Sequence, residues 1–438
     1  MLIRRKTPLM VALGLVLALG WSCKKTTDGE GTGADPDGTG AGAVADGPSV
    51  LLITLDTTRA DRLGCYGNDQ GATPHLDGVA ASGVRFRRAF AHTPLTIPSH
   101  VTIFTGQYPD RHGVRDNGDH FLGEDAVTLA ERFHDAGYAT VASVGAYVTQ
   151  RKWGFGQGFD DYYERLEQDD TIGGNQWRAE RRGDLVAADL VGWLEQHPDE
   201  PFFAWMHLFD PHDPYEPPPP YDERYPGQPY LGEVAYMDAQ IGVVLEALDR
   251  LGAAPRTAVV VAGDHGEAFG NHGEVHHGLV VYNATMHVPF LIRPAGGAEP
   301  RAIEEAVGLV DVAPTVLALA GLPAAAEGVH DGIDLTPALQ GVEPPRRTLY
   351  GESLYVRHHY GWSEQRMIVE WPYKYVASTR PELFDIAADA VEHDNLVASE
   401  GEVAARLQEI LETRRAQAPS GAAAAVDAET AQRLQALG

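Results

Sequence analysis

Cysteine is almost missing from this chain, with Cys23 and Cys65 the only two. Cys23 sits directly behind an N-terminal apolar stretch, which leaves Cys65 as a lone thiol, so no disulfide framework can organise the fold. Cations are scarce as well. There are 34 Lys and Arg against 62 Asp and Glu, for a formal net charge of −28. Such an acidic balance repels a phosphate backbone, and no nucleic-acid partner is expected. It also repels small anions at long range, so any anion site has to be built from local donors. Internal repeats are absent. The apolar stretch from Pro8 to Trp21 is too short to span a bilayer.

What is present begins with an address. Arg4, Arg5 and Lys6 precede the apolar stretch, and Ser22-Cys23 follows it. A cysteine in that place resembles a bacterial lipoprotein signal. Residues 1–22 then read as a signal peptide and 23–47, rich in Gly, Ala, Asp and Thr, as a lipid-anchored flexible linker. The expected location is the bacterial cell envelope, in periplasm or outer membrane, with a membrane contact through Cys23. Without lipidation the product is secreted.

The body alternates apolar runs with helical spacing. Ser49 to Leu55 is continuous apolar sequence, as in a strand buried on both faces. Ala139–Val144, Pro201–His207, Thr257–Ala262, Val288–Arg293 and Ala306–Leu309 read as further strands, and Val84–Phe90 as extended. Helices are expected over Pro74–Ser82, Val127–Ala136, Gly183–Glu195, Tyr230–Leu251 and Asp311–Ala320, and Arg151–Asp161 as a loop. After Pro323 short extended runs suggest a small antiparallel sheet covered by a helix from Gly401 to Ala416. The fold class is α/β with a β-rich C-terminal part.

Chemistry concentrates in three places. Thr93–Gly113, TPLTIPSHVTIFTGQYPDRHG, puts Thr96 just before Pro98 at a helix start, where unpaired amides favour an anion. Asp56 and Asp264-His265 each follow a strand, and ends of parallel strands share one edge of a sheet. Two carboxylates, an imidazole and a hydroxyl can hold a divalent cation, although a lone Asp at a strand end is more often a helix cap.

The frame Thr96-Ile97-Pro98-Ser99-His100, then Thr105-Gly106 and Tyr108-Pro109-Asp110-Arg111-His112-Gly113, resembles the sulfatase family of the alkaline phosphatase superfamily. Asp56 with Arg59–Gly67, the loop Asp264–Glu267, and Pro381–Asp385 with Glu392–Leu396 match that family in order. Two departures stand out. Thr96 occupies the position of the Cys or Ser that matures to formylglycine, and His100 that of an arginine. The resemblance implies an alkaline-phosphatase-like large mixed sheet between helices, with a small C-terminal antiparallel sheet subdomain. It divides the chain into a catalytic α/β domain at 48–325, a subdomain at 326–418 and an Ala-rich tail at 419–438.

The implied metal ligands are Asp56, Thr96, Asp264 and His265, around one calcium, magnesium, manganese or zinc ion. Thr96 is the implied nucleophile, with His212, His277 and His100 as further catalytic candidates. His212 and His277 resemble family contacts to the leaving group and the anion; with Asp210 they could instead bind a second metal. Arg111 and His112 follow the nucleophile helix as supporting candidates, and His207, His272 and His276 carry less weight. The expected activity is hydrolysis of a small-molecule or glycan sulfate, phosphate or phosphonate ester. A two-metal phosphodiesterase, a phospho-group transferase and an inactive binding protein on the same frame are the alternatives.

Overall fold

The computed structural model describes residues 46–118, 120–166, 179–417 and 424–425. The signal segment, nearly all of the linker and most of the Ala-rich tail lie outside the described residues. Ser49–Leu55 is a central strand of an eight-stranded sheet. Phe202–Leu208 and Thr257–Gly263 flank it, both parallel. Ala139–Val144 and Asp161–Tyr163 extend the parallel half. Phe290–Arg293, antiparallel, then Val84–Phe86 and Arg301–Ile303, complete the other half.

All seven residues of Ser49–Leu55 are buried, and they alternate between two cores. Val50 and Leu52 pack beside Ile97, Phe133 and Val316 from one layer of helices. Leu51, Ile53 and Leu55 pack beside Leu76, Leu190 and Val234 from the other. The two-residue period of a strand feeds both layers, so no position in it can be polar without a partner.

A second sheet of four antiparallel strands runs Leu349–Ser353, Gln365–Glu370, Tyr373–Ala377, Glu382–Asp385. Helix Gly401–Gln417 buries Ala404, Leu407 and Leu411 against it, in a core that also takes in Tyr108 and Val310. Each fully buried leucine contributes about 1.5–3 kcal/mol. Arg414 clamps Asp110 with two bonds of 2.6 and 2.8 Å, which ties this helix to the segment after helix Thr96–Thr105.

The differences from the sequence reading have local causes. Val84–Phe90 is two strands, broken at Arg87-Arg88, whose cations both bind Glu304. The run Val288–Arg293 divides at Pro289, which has no N–H for a ladder. The helix expected from Val127 begins at Leu129, because Thr128 and Glu131 form a capping box.

Candidate active site

Sheet register builds the site. Leu55 pairs with Gly263, so Asp56 and Asp264 leave adjacent strands side by side. Asp56 N donates to Leu208 O at 2.9 Å and Asp264 N to Leu55 O at 3.1 Å. Thr57 then takes a left-handed φ of 43°, a strained conformation for a β-branched residue. Its hydroxyl donates to Pro211 O at 2.6 Å, which anchors the turn to the loop that carries His212.

Thr96 opens helix Thr96–Thr105. Ile97 N donates to Asn117 Oδ1 at 2.9 Å, and Ser99 Oγ donates to Asp264 O at 2.7 Å. The helix start is thereby fixed to the loop of Asp264 and His265. Thr96 Oγ1 lies 3.4 Å from Asp56 Oδ2 and 3.4 Å from His265 Nε2. His265 Nδ1 is 3.0 Å from Gly266 O, which can only accept, so Nδ1 carries the proton and Nε2 presents a lone pair.

Donor atoms of Asp56, Asp264 and His265 all lie within 4.8 Å of one another. Asp56 Oδ1 and Asp264 Oδ2 are buried without a hydrogen-bond partner among the described residues. Burial pushes both carboxyls well above their ordinary range; Glu267 raises Asp56 further, and Asp56 raises Asp264. Burial, and then His277, hold His265 well below its usual value. Two buried acids, each with one oxygen lacking a partner, together with an imidazole and a hydroxyl, fit a divalent cation, whose charge offsets what burial costs the carboxylates.

His212 and His277 reach the same site. His277 lies against His265 with ring centroids 4.4 Å apart, and its Nε2 is 3.3 Å from His212 Nε2. Asp210 does not join them. Its Oδ1 accepts from Gly183 N at 3.0 Å, at the start of helix Gly183–Gln196, and among the described residues Asp210, His212 and His277 do not form a group of mutually close ligand atoms. Burial pushes the Asp210 carboxyl up to about 6.

His100 lies behind Thr96 and is fully buried. Its Nδ1 donates to Thr96 O at 2.8 Å, and its Nε2 is 3.0 Å from Thr54 Oγ1. Arg111 is turned away, in an ion pair of 2.9 Å with Asp331. His112 bonds Thr102 within the helix layer, and His272 stacks on Tyr282. Two further residues border the site, Glu267 and His207. Glu267 Oε2 accepts from Tyr215 OH at 2.9 Å, which links the His265 loop to the His212 loop. His207 Nε2 is 3.6 Å from Asp56 Oδ2. The signal for His207 in the sequence is a histidine inside an apolar strand; its register opposite Thr54 comes from the structure.

A family model described as Sulfatase matches residues 48–322. This chain belongs to the sulfatase family. Among its relatives is an arylsulfatase of Clostridium perfringens, 25% identical over 81% of this chain and 91% of the relative. The phosphonate monoester hydrolase of Agrobacterium radiobacter has a similar fold, with a TM-score of 0.72, 24% identity, and coverage of 84% of this chain and 96% of that one. So does Ps i-CgsB in complex with k-i-k-neocarrahexaose, with a TM-score of 0.73, 21% identity, and coverage of 90% and 98%. The mixed sheet and small antiparallel sheet of this sulfatase-family chain are those of the alkaline-phosphatase-like fold. As a member of the family it is a hydrolase of sulfuric or phosphoric esters.

Proposed function

We propose that this sulfatase-family chain hydrolyses its ester with Thr96, unmodified, as nucleophile and a divalent cation held by Asp56, Asp264 and His265. The observation that carries this reading is Thr96 Oγ1 at 3.4 Å from both Asp56 Oδ2 and His265 Nε2. When bound, the cation would lower the pKa of the hydroxyl and offset negative charge that develops on the ester.

The residues divide the remaining work. Asp56 Oδ2 is the carboxylate oxygen nearest the Thr96 proton. Thr96 Oγ1 bonds to the phosphorus as the bond to the alcohol oxygen breaks. His212 and His277 would hand a proton to that departing oxygen. Water then cleaves the threonine ester and restores the hydroxyl. Threonine cannot yield the aldehyde hydrate through which formylglycine expels sulfate, so the reading favours phosphoryl or phosphonyl esters. Among the described residues only Asp56, Asp264 and His265 bring metal-ligating atoms together, which supports a single cation over a two-metal phosphodiesterase.

The substrate class proposed is a small-molecule or glycan ester, in keeping with the oligosaccharide held by the structurally similar Ps i-CgsB. We also propose that the chain works from the bacterial cell envelope, anchored by a lipid on Cys23. A panel of p-nitrophenyl sulfate, phosphate, phosphodiester and phenylphosphonate, run on wild type and Thr96→Ala, tests the chemistry. Turnover of a phosphorus ester that disappears with Thr96 is expected. Sulfate-ester turnover that survives Thr96→Ala overturns it.

A further inference from the structure

The turn that carries His277 is held from two sides. On one side its own loop closes on itself. Ala268 N donates to His276 O and Gly270 N to Glu274 O, both at 2.7 Å. Glu274 is buried in this loop, and its Oε1 accepts from Leu279 N at 2.6 Å.

On the other side stands the small antiparallel sheet. Each of its four strands sends a side chain to residues 278–283. Ser353 Oγ donates to Gly278 O, and Gln365 Oε1 accepts from Val281 N at 3.2 Å. Lys374 Nζ donates to Asn283 Oδ1 at 3.1 Å, and Glu382 Oε2 accepts from Tyr282 OH at 2.6 Å.

Two of these bonds meet on one peptide unit. The carbonyl of Gly278 and the N–H of Leu279 belong to the same planar group. Ser353 binds one edge of it and Glu274 the other, so this plane cannot turn without breaking a bond. Gly278 has a left-handed φ of 104°, and a Cβ there would stand 3.2 Å from Leu95 Cδ2. The backbone is thereby fixed directly behind His277. The His277 ring lies against both His265 and His212, and its Nδ1 is 3.1 Å from the carbonyl of Pro94, just ahead of Thr96. A rotation of the Gly278–Leu279 plane is therefore felt inside the site.

We propose that Ser353 and Glu274 are positioning residues that aim His277, so that the C-terminal sheet serves turnover as well as stability. The inference rests on the proposed role of His277 in turnover. It concerns where the ring stands and not the charge it carries.

The test is a set of double-mutant cycles in kcat on full-length protein. The probes are ethyl phenylphosphonate, ethyl phosphate and ethyl sulfate, and the cycles use the one that wild type turns over fastest. Ser353→Ala and Glu274→Ala should each lower kcat by about 10–100-fold with KM nearly unchanged. In a His277→Ala background neither should lower it further, because both act through that ring. Glu274→Gln keeps a carbonyl oxygen for Leu279 N and should recover most of the loss. In protein without substrate, the ¹³Cε1–¹H NMR cross-peak of His277, assigned by its absence from His277→Ala, should move in Ser353→Ala. Near-UV circular dichroism checks the fold, and Ser353→Ala, which removes one hydroxyl, decides the matter if Glu274→Ala does not fold. An unmoved cross-peak, or losses that add in full to that of His277→Ala, overturn the proposal. So does wild-type kcat in either folded alanine variant while His277→Ala is impaired, and then the role of His277 stands. Unchanged kcat in His277→Ala removes that role and the proposal with it.

Discussion

His212 and His277 meet Nε2 to Nε2 at 3.3 Å, and each has its Nδ1 within 3.1 Å of a backbone carbonyl, Asp213 O and Pro94 O. Carbonyls only accept, so both Nδ1 atoms are donors. A hydrogen bond between the two Nε2 atoms then requires one further proton, held by the pair. That proton is what a departing alkoxide needs. His277→Ala should therefore lower kcat by about 10²–10⁴-fold for an ester of a simple alcohol. A p-nitrophenyl ester, whose leaving group needs no proton, should be far less affected. Equal losses with both leaving groups would remove the general-acid role.

The buried carboxyls give a metal prediction with a definite sign. Without a cation, burial holds Asp56 and Asp264 well above their ordinary range. A divalent ion needs both ionised, so binding releases protons and affinity falls as pH falls. Calorimetry in buffers of different ionisation enthalpy should show proton release. A ligand at 100 times its dissociation constant adds about 2.7 kcal/mol of stability, visible as a raised Tm. Asp264→Ala should lose metal, activity and this increment together. Full occupancy in that variant would contradict the site.

Legibility followed the length and redundancy of the signals. Ser49–Leu55 was legible because its continuous apolar run is of strand length, and all seven residues are buried in the sheet. The meeting of Asp56, Thr96, Asp264 and His265 was legible because motif frame and strand ends point to one sheet edge. Asp161–Tyr163 and Glu382–Asp385 were not, since three or four residues carry no measurable period. They are strands because neighbours pair with them, Val141–Ser143 in one case and Tyr373–Val376 in the other. His207 was legible only in part. A histidine in an apolar strand is most simply a core residue, and only its register with Thr54 places it under the site.

Glu233 offers a test through stability. It lies in helix Pro229–Arg250, and its Oε1 accepts from Glu216 N at 2.7 Å, holding the segment just after Tyr215. Burial is the main cause that pushes its carboxyl from 4.5 up to about 10. The folded state thus binds this proton more tightly than the unfolded state, so the contribution is full below pH 4.5 and is lost as pH rises toward 10. Glu233→Gln mimics the protonated form. Denaturant melts should show a stability gain over wild type that grows between pH 5 and about 9. A gain independent of pH would show that Glu233 is ionised in the folded protein.

The envelope address is tested separately from catalysis. In a detergent phase partition of protein expressed in a bacterial host, wild type should enter the detergent phase. Cys23→Ala should move to the aqueous phase with its specific activity intact. Retention of Cys23→Ala in the detergent phase would rule out the lipid anchor.

The nucleophile and the residue beneath it must be tested together. Thr96→Ala should cut turnover by several orders of magnitude while metal stays, because Asp56, Asp264 and His265 are untouched. Thr96→Ser keeps the hydroxyl and should retain partial activity. Thr96→Cys, in a host that makes formylglycine, asks whether sulfatase chemistry is latent, and the maturation frame calls for arginine at position 100. The structure shows why that change is not simple. The His100 ring lies 5.5 Å from Trp205 and 4.8 Å from His207, centroid to centroid, and its Nε2 meets Thr54. An arginine adds volume and a charge to this closed cluster, and overpacking alone costs about 1–3 kcal/mol. His100→Arg should therefore lower Tm. The triple variant Thr96→Cys, His100→Arg, His207→Ser makes room for the arginine and is the fairer test of maturation. Mass spectrometry of the peptide around position 96 reads the outcome. Unmodified threonine in wild type is expected; a modified residue there would move this chain into the formylglycine branch.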